Sequence, residues 1–269
     1  MPEELPRSGI RRRGWRHGLA DRRVLLGLAS FGTLVLVYSV VSNLPGANHV
    51  ITPPPQEILA TLAEGFADGS LLSAIGASLV RVLAGYILGC STAIVLGVLM
   101  GWFRSFEYVV DPIVEAVRPI PPLAYIPLVI IWVGIDERSR ILVIFLASFL
   151  TCIVSTITGI KQVPRVFIEA AQTLGASQTR LFLTIAIPSA VPYIFAGLRV
   201  ALAASWTTLV AAELVAAQDG LGWLLQNGRR FLRTDLVMAG VVIIGLLAFS
   251  MDRGLRFLQR RLTRWADVR

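Results

Sequence analysis

The sequence predicts an all-α membrane protein with six transmembrane helices. Hydrophobic residues make up 55% of the 269 positions, only 16% are charged, and the mean hydropathy is +0.70. Uncharged runs of 18 or more residues recur along the chain, which is the length that a helix needs to cross a bilayer. This composition and spacing are typical of membrane proteins rather than of soluble globular proteins.

The chain begins with an arginine-rich arm over residues 1–23, which we expect on the cytoplasmic side of the membrane. Residues 24–70 are predicted to hold the first transmembrane helix and an extracytoplasmic segment. The pair Arg22-Arg23 suggests a twin-arginine export signal. We reject that interpretation because the apolar run that follows is longer than the core of a signal peptide and further spans come after it.

The second span, predicted over 82–102, has a small residue at every fourth position. These residues are Gly85, Gly89, Ala93, Gly97 and Gly101. Such a stripe allows another helix to approach closely. We expect a packing role for it and nothing further.

The third span, over 106–134, contains four prolines within nine residues, so no continuous α-helix can pass through it. Broken backbone at membrane depth is tolerated only when it is buried in protein or lies beside a water-filled cavity. This stretch is therefore the best candidate for a pathway wall or gate. Its candidate residues are Arg118, Pro119, Pro121, Pro122 and Tyr125.

Span 4 is predicted over 141–160, span 5 from about 188 to 212 with an interruption at Pro192, and span 6 over 236–251. The segment 161–188 between spans 4 and 5 is too polar to cross a membrane and too short to fold alone. It indicates two short helices, with a left-handed bend at Gly175 and an N-terminal cap from Ser177. Such a unit needs a surface on which to dock, and the alternative is an amphipathic helix on the membrane surface.

The distribution of arginines predicts the topology. With six spans and the N-terminus inside, 17 of the 25 cationic residues fall on the inner side and 5 on the outer side. The positive-inside rule therefore places both termini and the segment 161–188 in the cytoplasm. The same distribution accounts for the net charge of +8 without nucleic-acid binding.

The sequence contains no catalytic triad, no metal-ligand cluster and no phosphate-binding glycine loop with its lysine. Lys161 is the only lysine, so any energy source must be a separate chain. Cys90 and Cys152 are far apart in apolar runs and are interpreted as small buried hydrophobic residues. We therefore predict no catalytic and no metal site.

A few polar residues within the spans are candidates for function. An arginine at a helix centre costs about 2.5–3.5 kcal/mol on insertion scales, and such residues usually face a bundle interior or an aqueous path. The candidates are Arg118, Arg199, Thr207 and Glu213. Arg118 and Arg199 could attract or pass a small anion, Glu213 has a similar status at the outer end of span 5, and Thr207 could line the path. The alternative is that they form structural ion pairs, as Arg118 can with Glu115, or lie nearer an interface.

The segment 161–188 resembles the "EAA" coupling loop of ABC-importer permeases. The residues that match are Glu169, Ala170, Ala171, Gly175, Ile185 and Pro188, with Ile187 where the family motif often has Leu. The stretches 118–128 and 131–135 resemble the nitrate/sulfonate/taurine branch of these permeases. The stretches 205–214, with 220–222, and 255–265 resemble most closely the taurine permeases of that branch. The resemblance covers roughly residues 50–265.

This resemblance implies a type-1 importer permease fold over residues 71–258, with a basic cytoplasmic tail over 259–269. It implies a homodimer in the bacterial plasma membrane, an ABC ATPase dimer docked on the coupling loops, and an extracytoplasmic substrate-binding protein. ATP and Mg would bind to the ATPase, and the permease would carry no cofactor and catalyse no reaction.

The cargo implied is taurine or a related sulfonate, and nitrate, bicarbonate, an aliphatic sulfonate or a vitamin precursor stay open within the class. A secondary transporter is a different class, which would show internal repeats and work without an ATPase. A membrane enzyme would need a cluster of polar catalytic groups at one depth, which the sequence lacks.

Overall fold

The structure, a computed structural model, describes residues 15–263, so residues 1–14 and 264–269 of the predicted arm and tail lie outside the described residues. Every regular element in that range is helical. The α-helices are α1 (Trp15–Ser42), α2 (Pro55–Ala67), α3 (Ser70–Trp102), α4 (Arg104–Val117), α5 (Ile126–Val133), α6 (Glu137–Lys161), α7 (Arg165–Thr173), α8 (Gln178–Leu181), α9 (Ile187–Ala216), α10 (Leu221–Arg230) and α11 (Thr234–Leu262). A 3₁₀ turn at Pro122–Tyr125 precedes α5, and a π-turn at Phe182–Ala186 joins α8 to α9.

Five stretches of the described chain are long and apolar enough to cross a membrane: Leu25–Ser42, Ser70–Trp102, Glu137–Lys161, Gln178–Val215 and Thr234–Leu262. A sixth candidate is the pair Arg104–Val117 and Pro122–Val133, whose two helices are bent by 84° at the proline-rich break. The predicted all-α membrane fold is confirmed, and so is the predicted break in the third span.

By their contacts the residues up to Glu57 form one unit and those from Ile58 onward form a second. In the first unit, the Tyr38 hydroxyl donates to the carbonyl of Pro53 over 2.7 Å. The core of the second unit lies between α3, α6 and α9, with α11 against α9, and it includes both predicted buried cysteines, Cys90 and Cys152. Many large apolar side chains face outward instead, as expected where lipid replaces water as the solvent.

Helices α3 and α6 pack closely along the stripe of small residues. A Cβ atom built on Gly89 would lie 2.0 Å from the Ser148 Oγ and 2.6 Å from the carbonyl oxygen of Phe145. A Cβ on Gly85 would meet Ile144 at 2.7 Å. These helices are in contact through their backbones, so the predicted packing role is confirmed.

Helix α3 begins earlier than the sequence pattern predicts. The pattern placed the second span at 82–102 because Arg81 is charged, but α3 runs without a break from Ser70, after Gly69 with a φ of 77°. The Asp68 carboxylate accepts from the Ser70 amide over 2.9 Å at this start. Hydrogen bonds from Ser70 lower the pKa of Asp68 below its ordinary value.

The predicted interruption of span 5 at Pro192 is wrong. Pro192 lies inside α9 without ending it. The irregular backbone falls earlier, in the π-turn just before Pro188, which occupies the first turn of α9. A π-turn is a known way to accommodate local strain within a long helix, and a proline in a first turn loses no intrahelical hydrogen bond.

An ion pair joins the C-terminal end of α6 to α4. The Lys161 ammonium donates to the Glu107 carboxylate over 2.5 Å, and Lys161 also places a cation at the C-terminus of α6, where the helix dipole favours it. At the other end of α6, Asp136 and Ser139 form a capping box.

We predict that Gly89→Ala lowers the thermal stability of the purified chain by about 1–3 kcal/mol, because the added methyl group overpacks the α3–α6 contact. The matched control is Gly76→Ala on the same helix, where a Cβ meets nothing within 4 Å. Thermal unfolding in detergent measures both variants. Equal stability of the two would contradict the close α3–α6 contact.

Candidate coupling and pathway sites

The segment between α6 and α9 forms an exposed helical hairpin. Pro164 precedes α7, and no residue of α7 is buried. Gly175 has a φ of 79°, which closes α7 in the left-handed conformation, and the Ala176 amide donates to the Ala171 carbonyl over 3.0 Å. The Ser177 hydroxyl accepts from the Arg180 amide and caps α8. The predicted two helices, bend and cap are therefore all present.

The structure divides the six candidate coupling residues into two groups. Glu169, Ala170 and Gly175 are exposed on the hairpin, and Ala171 is half-buried there. Ile185 and Pro188 lie instead in its base, where Ile185 packs on a small core that includes Ile160 and Ala186. The base thus anchors the hairpin, and the tip is available for a partner.

Large apolar side chains on the hairpin are uncovered. Leu174 is 88% exposed and Val166 is 71% exposed, and Phe167 is also exposed. Val163 is buried in the base, so only part of the apolar surface of this segment serves the fold. Uncovered apolar residues in a polar segment are the usual mark of an interaction surface.

The proline-rich break carries the first group of candidate pathway residues. Arg118 pairs with Glu115 over 3.1 Å, as predicted, and both side chains are about half exposed. Pro119 and Pro121 are exposed, and Pro122 begins the 3₁₀ turn. The hydroxyl of Tyr125, at the end of this turn, is buried without a hydrogen-bond partner among the described residues.

Two further candidates lie on α9. Arg199 donates from its Nε to the Asp252 carboxylate of α11 over 2.8 Å. The exposed Thr207 hydroxyl donates to the Ala203 carbonyl one turn earlier over 3.1 Å, which is the common fate of threonine in membrane helices. The structure does not bring Arg118, Arg199 and Thr207 together in one cluster.

Glu213 lies in a buried ion cluster around Arg81, a residue that the sequence did not single out. The Glu213 side chain is 0% exposed and that of Arg81 is 2% exposed, with 2.7 Å between Glu213 Oε1 and Arg81 Nη1. Arg81 also makes two 2.6 Å bonds to the Glu137 carboxylate and bonds to the side chain of Asp219. The guanidinium thus joins α3, the start of α6, the end of α9 and the α9–α10 connection.

The remaining acceptor capacity of Glu213 is also filled. The Ser78 hydroxyl lies 2.8 Å from Glu213 Oε1, and the Gly222 amide donates to Oε2 over 2.7 Å. Ser78 Oγ in turn accepts from the Leu221 amide over 2.8 Å. In the sequence, this cluster is visible only as two charges within apolar runs. Their pairing could not be predicted, because 132 residues separate Arg81 from Glu213.

A polar cleft of ≈ 250 Å³ opens beside this cluster, lined by Asp136, Glu137, Arg140, Asp219 and their neighbours. Glu137 also binds Arg140. Within residues 15–263 no group of three or more His, Cys, Asp or Glu side chains could hold a metal ion. We interpret the ion pairs of Arg81 with Glu213, Glu137 and Asp219, here called the Arg81 cluster, as structural.

The helical fold, the broken span and the exposed hairpin define a membrane transport subunit, and comparison with known families agrees. Residues 93–264 match the family described as "Binding-protein-dependent transport system inner membrane component". That match covers more than half of the chain, so the chain belongs to this family. It is a multi-pass protein of the inner, or plasma, membrane and a permease subunit of ABC importers.

Among its relatives, the taurine transport system permease protein TauC of Escherichia coli K12 is 42% identical over 95% of this chain and 94% of TauC. The putative aliphatic sulfonates transport permease protein SsuC of the same organism is 34% identical over 86% of this chain and 88% of SsuC. A chain of the MetNI methionine ABC transporter has a TM-score of 0.60 at 18% identity, over 73% of this chain and 98% of that chain. The last similarity confirms the type-1 importer permease fold.

We predict that Arg81→Met destabilises the protein by about 3–5 kcal/mol, because it leaves the Glu213 carboxylate buried and unpaired. The control Arg118→Met removes a half-exposed pair and should cost less than about 1 kcal/mol. The fraction of folded chain recovered from membranes and its unfolding midpoint measure both effects. Similar values for the two variants would show that the Arg81 cluster does not support the fold.

Proposed function

We propose that the chain forms the translocation pathway of an ATP-driven importer for taurine or a related sulfonate. The observation that carries the cargo is the 42% identity to TauC along nearly the whole chain, against 34% to SsuC. In this proposal both termini and the hairpin between α6 and α9 lie in the cytoplasm. In this orientation 17 cationic residues lie on the cytoplasmic side and 5 on the outer side, which agrees with the positive-inside rule.

The hairpin is the proposed docking element for a separate ATPase dimer, which would bind ATP and Mg. Its support is the exposure of Val166 and Phe167 at the start of α7 and of Leu174 at its end. The Glu169 carboxylate is exposed beside them and available to a polar partner. Ile185 and Pro188 would transmit motion into α9, because they join the hairpin to that helix.

The proline-rich break is the proposed wall of the pathway. The backbone from Arg118 to Pro121 is exposed in the isolated chain and is not helical throughout. Lipid cannot satisfy the polar groups of such a backbone. The break must therefore face water or a second permease copy, which fits a pathway formed between two copies.

The other candidate pathway residues differ in their availability. Arg118 and Thr207 are exposed and could meet cargo, and the Tyr125 hydroxyl is free to bond a ligand or water. The Glu213 carboxylate already accepts hydrogen bonds from Arg81, Ser78 and Gly222, so we assign it the role of positioning the helices.

At the outer end of the bundle, an extracytoplasmic binding protein would deliver the cargo, as the family description implies.

An aliphatic sulfonate is the second candidate cargo, and the similarity to SsuC favours it. Nitrate, bicarbonate and a vitamin precursor are further members of the same class. All of these except the vitamin precursor are small anions or carry an anionic group, so arginines near the path suit each of them.

We predict that Leu174→Asp lowers the amount of ATPase that co-purifies with the chain by about tenfold or more, as expected for a central interface residue. Ile51→Asp is the control, because Ile51 is 69% exposed in the proposed extracytoplasmic segment. Membrane levels of both variants should match the parent. Retention of the ATPase by Leu174→Asp would argue against docking at the hairpin.

For the cargo, we expect a strain without this gene to lose growth on taurine as sole sulfur source and to keep growth on sulfate. Uptake of labelled taurine should fall in parallel and return when the gene is restored. Unimpaired growth on taurine, together with a requirement for the gene on nitrate or an alkanesulfonate, would assign another cargo.

A further inference from the structure

A cationic cleft lies between α9 and the end of α11. Its volume is ≈ 240 Å³, and its lining residues are Arg199, Arg256, Gln259, Arg260 and Thr263. Almost all of the lining is polar, because the cleft lies where the last turns of α11, which carry four arginines, meet Arg199 of α9. The cleft is therefore a candidate site for an anion.

One carboxylate holds two of the arginines in place. Asp252 Oδ1 accepts from Arg199 Nε over 2.8 Å, and Asp252 Oδ2 accepts from Arg256 Nε over 2.7 Å. Each bond uses the Nε donor and leaves the two terminal amino groups of the guanidinium, which have no acceptor among the described residues. Asp252 therefore holds two guanidinium groups side by side with their terminal N–H donors unused.

The charge in the cleft is unbalanced. Three arginines line it or reach it, and the described residues that bind them supply one carboxylate, that of Asp252. The Arg199 side chain is 33% exposed and that of Asp252 is 25% exposed, whereas that of Arg256 is 49% exposed, so the site is shielded from water only on its α9 side. An anion near Arg199 would be screened by water less than one on an open surface.

The connectivity fixes the end of the bundle to which the cleft belongs. Helix α9 starts at the hairpin, and α11 returns toward that end, where its last residues line the cleft. Arg199 lies 12 residues after Ile187 in α9, which is roughly 18 Å along the helix. The cleft therefore lies in the half of the bundle nearer the hairpin.

We propose that Arg199, Arg256 and Arg260 form a binding site for a tetrahedral oxyanion, with Asp252 as a positioning residue. A tetrahedral group presents three or four oxygens, so it can accept from three converging arginines at once, whereas a planar carboxylate matches a single fork. Gln259 supplies a neutral amide donor at the same cleft. The oxyanion belongs either to a lipid headgroup phosphate or to a free sulfate, sulfonate or phosphate.

The first measurement is binding of inorganic sulfate to the full-length chain, purified in an uncharged detergent, by titration calorimetry. We expect Arg256→Gln and Arg260→Gln each to weaken binding by about tenfold, as loss of a charge-assisted hydrogen bond predicts. Arg253→Gln and Arg261→Gln are the matched controls. They remove the same charge from α11, but their guanidiniums lie over Phe249 and Phe257 at 5.0 and 4.6 Å. The controls should change binding by less than about twofold.

The second measurement distinguishes the source of the oxyanion. The same five proteins are incubated with phosphatidylglycerol or phosphatidylcholine, and retained lipid is counted by native mass spectrometry. Loss of phosphatidylglycerol in Arg256→Gln and Arg260→Gln alone identifies a headgroup site. Sulfate binding that is equally sensitive to these variants, without selective lipid retention, identifies a site for a free oxyanion.

Either result supports the site, because both require the cleft arginines specifically. The proposal is overturned if the chain shows no saturable binding of sulfate or phosphatidylglycerol, or if all four arginine variants weaken binding equally, since that is the behaviour of diffuse surface charge. Unfolding midpoints equal to that of the parent exclude misfolding as the cause. Neither measurement involves transport, so its outcome is independent of the proposed cargo.

Discussion

The pairing of Arg81 with Glu213 is the interaction on which the helical bundle depends. A charge buried among apolar helices is tolerated only when it is paired and fully hydrogen-bonded. Here the carboxylate accepts from the guanidinium, from Ser78 and from Gly222, and the guanidinium also reaches Glu137 and Asp219. These bonds join residues from four parts of the chain at one end of the bundle. Close contact between α3 and α6 through small residues then continues the same rigid unit along its length.

The opposite end of the same helices has a different character. The hairpin between α6 and α9 is anchored by a small apolar base, while its tip exposes Leu174 and Val166. The molecule thus combines a tightly bonded end with an end whose apolar surface is not used by its own fold. That contrast suits a subunit that keeps its helices in register while another protein acts on it from one side. The proline-rich break interrupts the third span with a bend of 84°.

Local sequence patterns predicted much of this architecture and missed what depends on distant residues. The apolar runs, the prolines at 119–127, the left-handed Gly175 and the Ser177 cap are all local signals, and the structure contains each of them. Arg81 was taken as a boundary of the second span because it is charged, and its partners could not be predicted because they lie far along the chain. For the same reason the sequence could not show that Glu213 bonds to Arg81, Ser78 and Gly222, or that Arg199 and Arg256 share Asp252. The prediction for Pro192 was wrong for another reason. A proline pattern does not show where a helix breaks, and here the irregular backbone is the π-turn before Pro188, whereas Pro192 lies inside α9.

The ion pair between Lys161 and Glu107 has a mechanical consequence. Lys161 is the last residue of α6, so the hairpin begins directly after it, and Glu107 lies in the first turn of α4. A displacement of the hairpin would therefore act on α6 through the covalent chain and on α4 through this partly exposed ion pair. Helix α4 in turn leads into the 84° bend and ends next to Arg118. The lone lysine of the sequence thus links the start of the hairpin to the helix that precedes the proline-rich break.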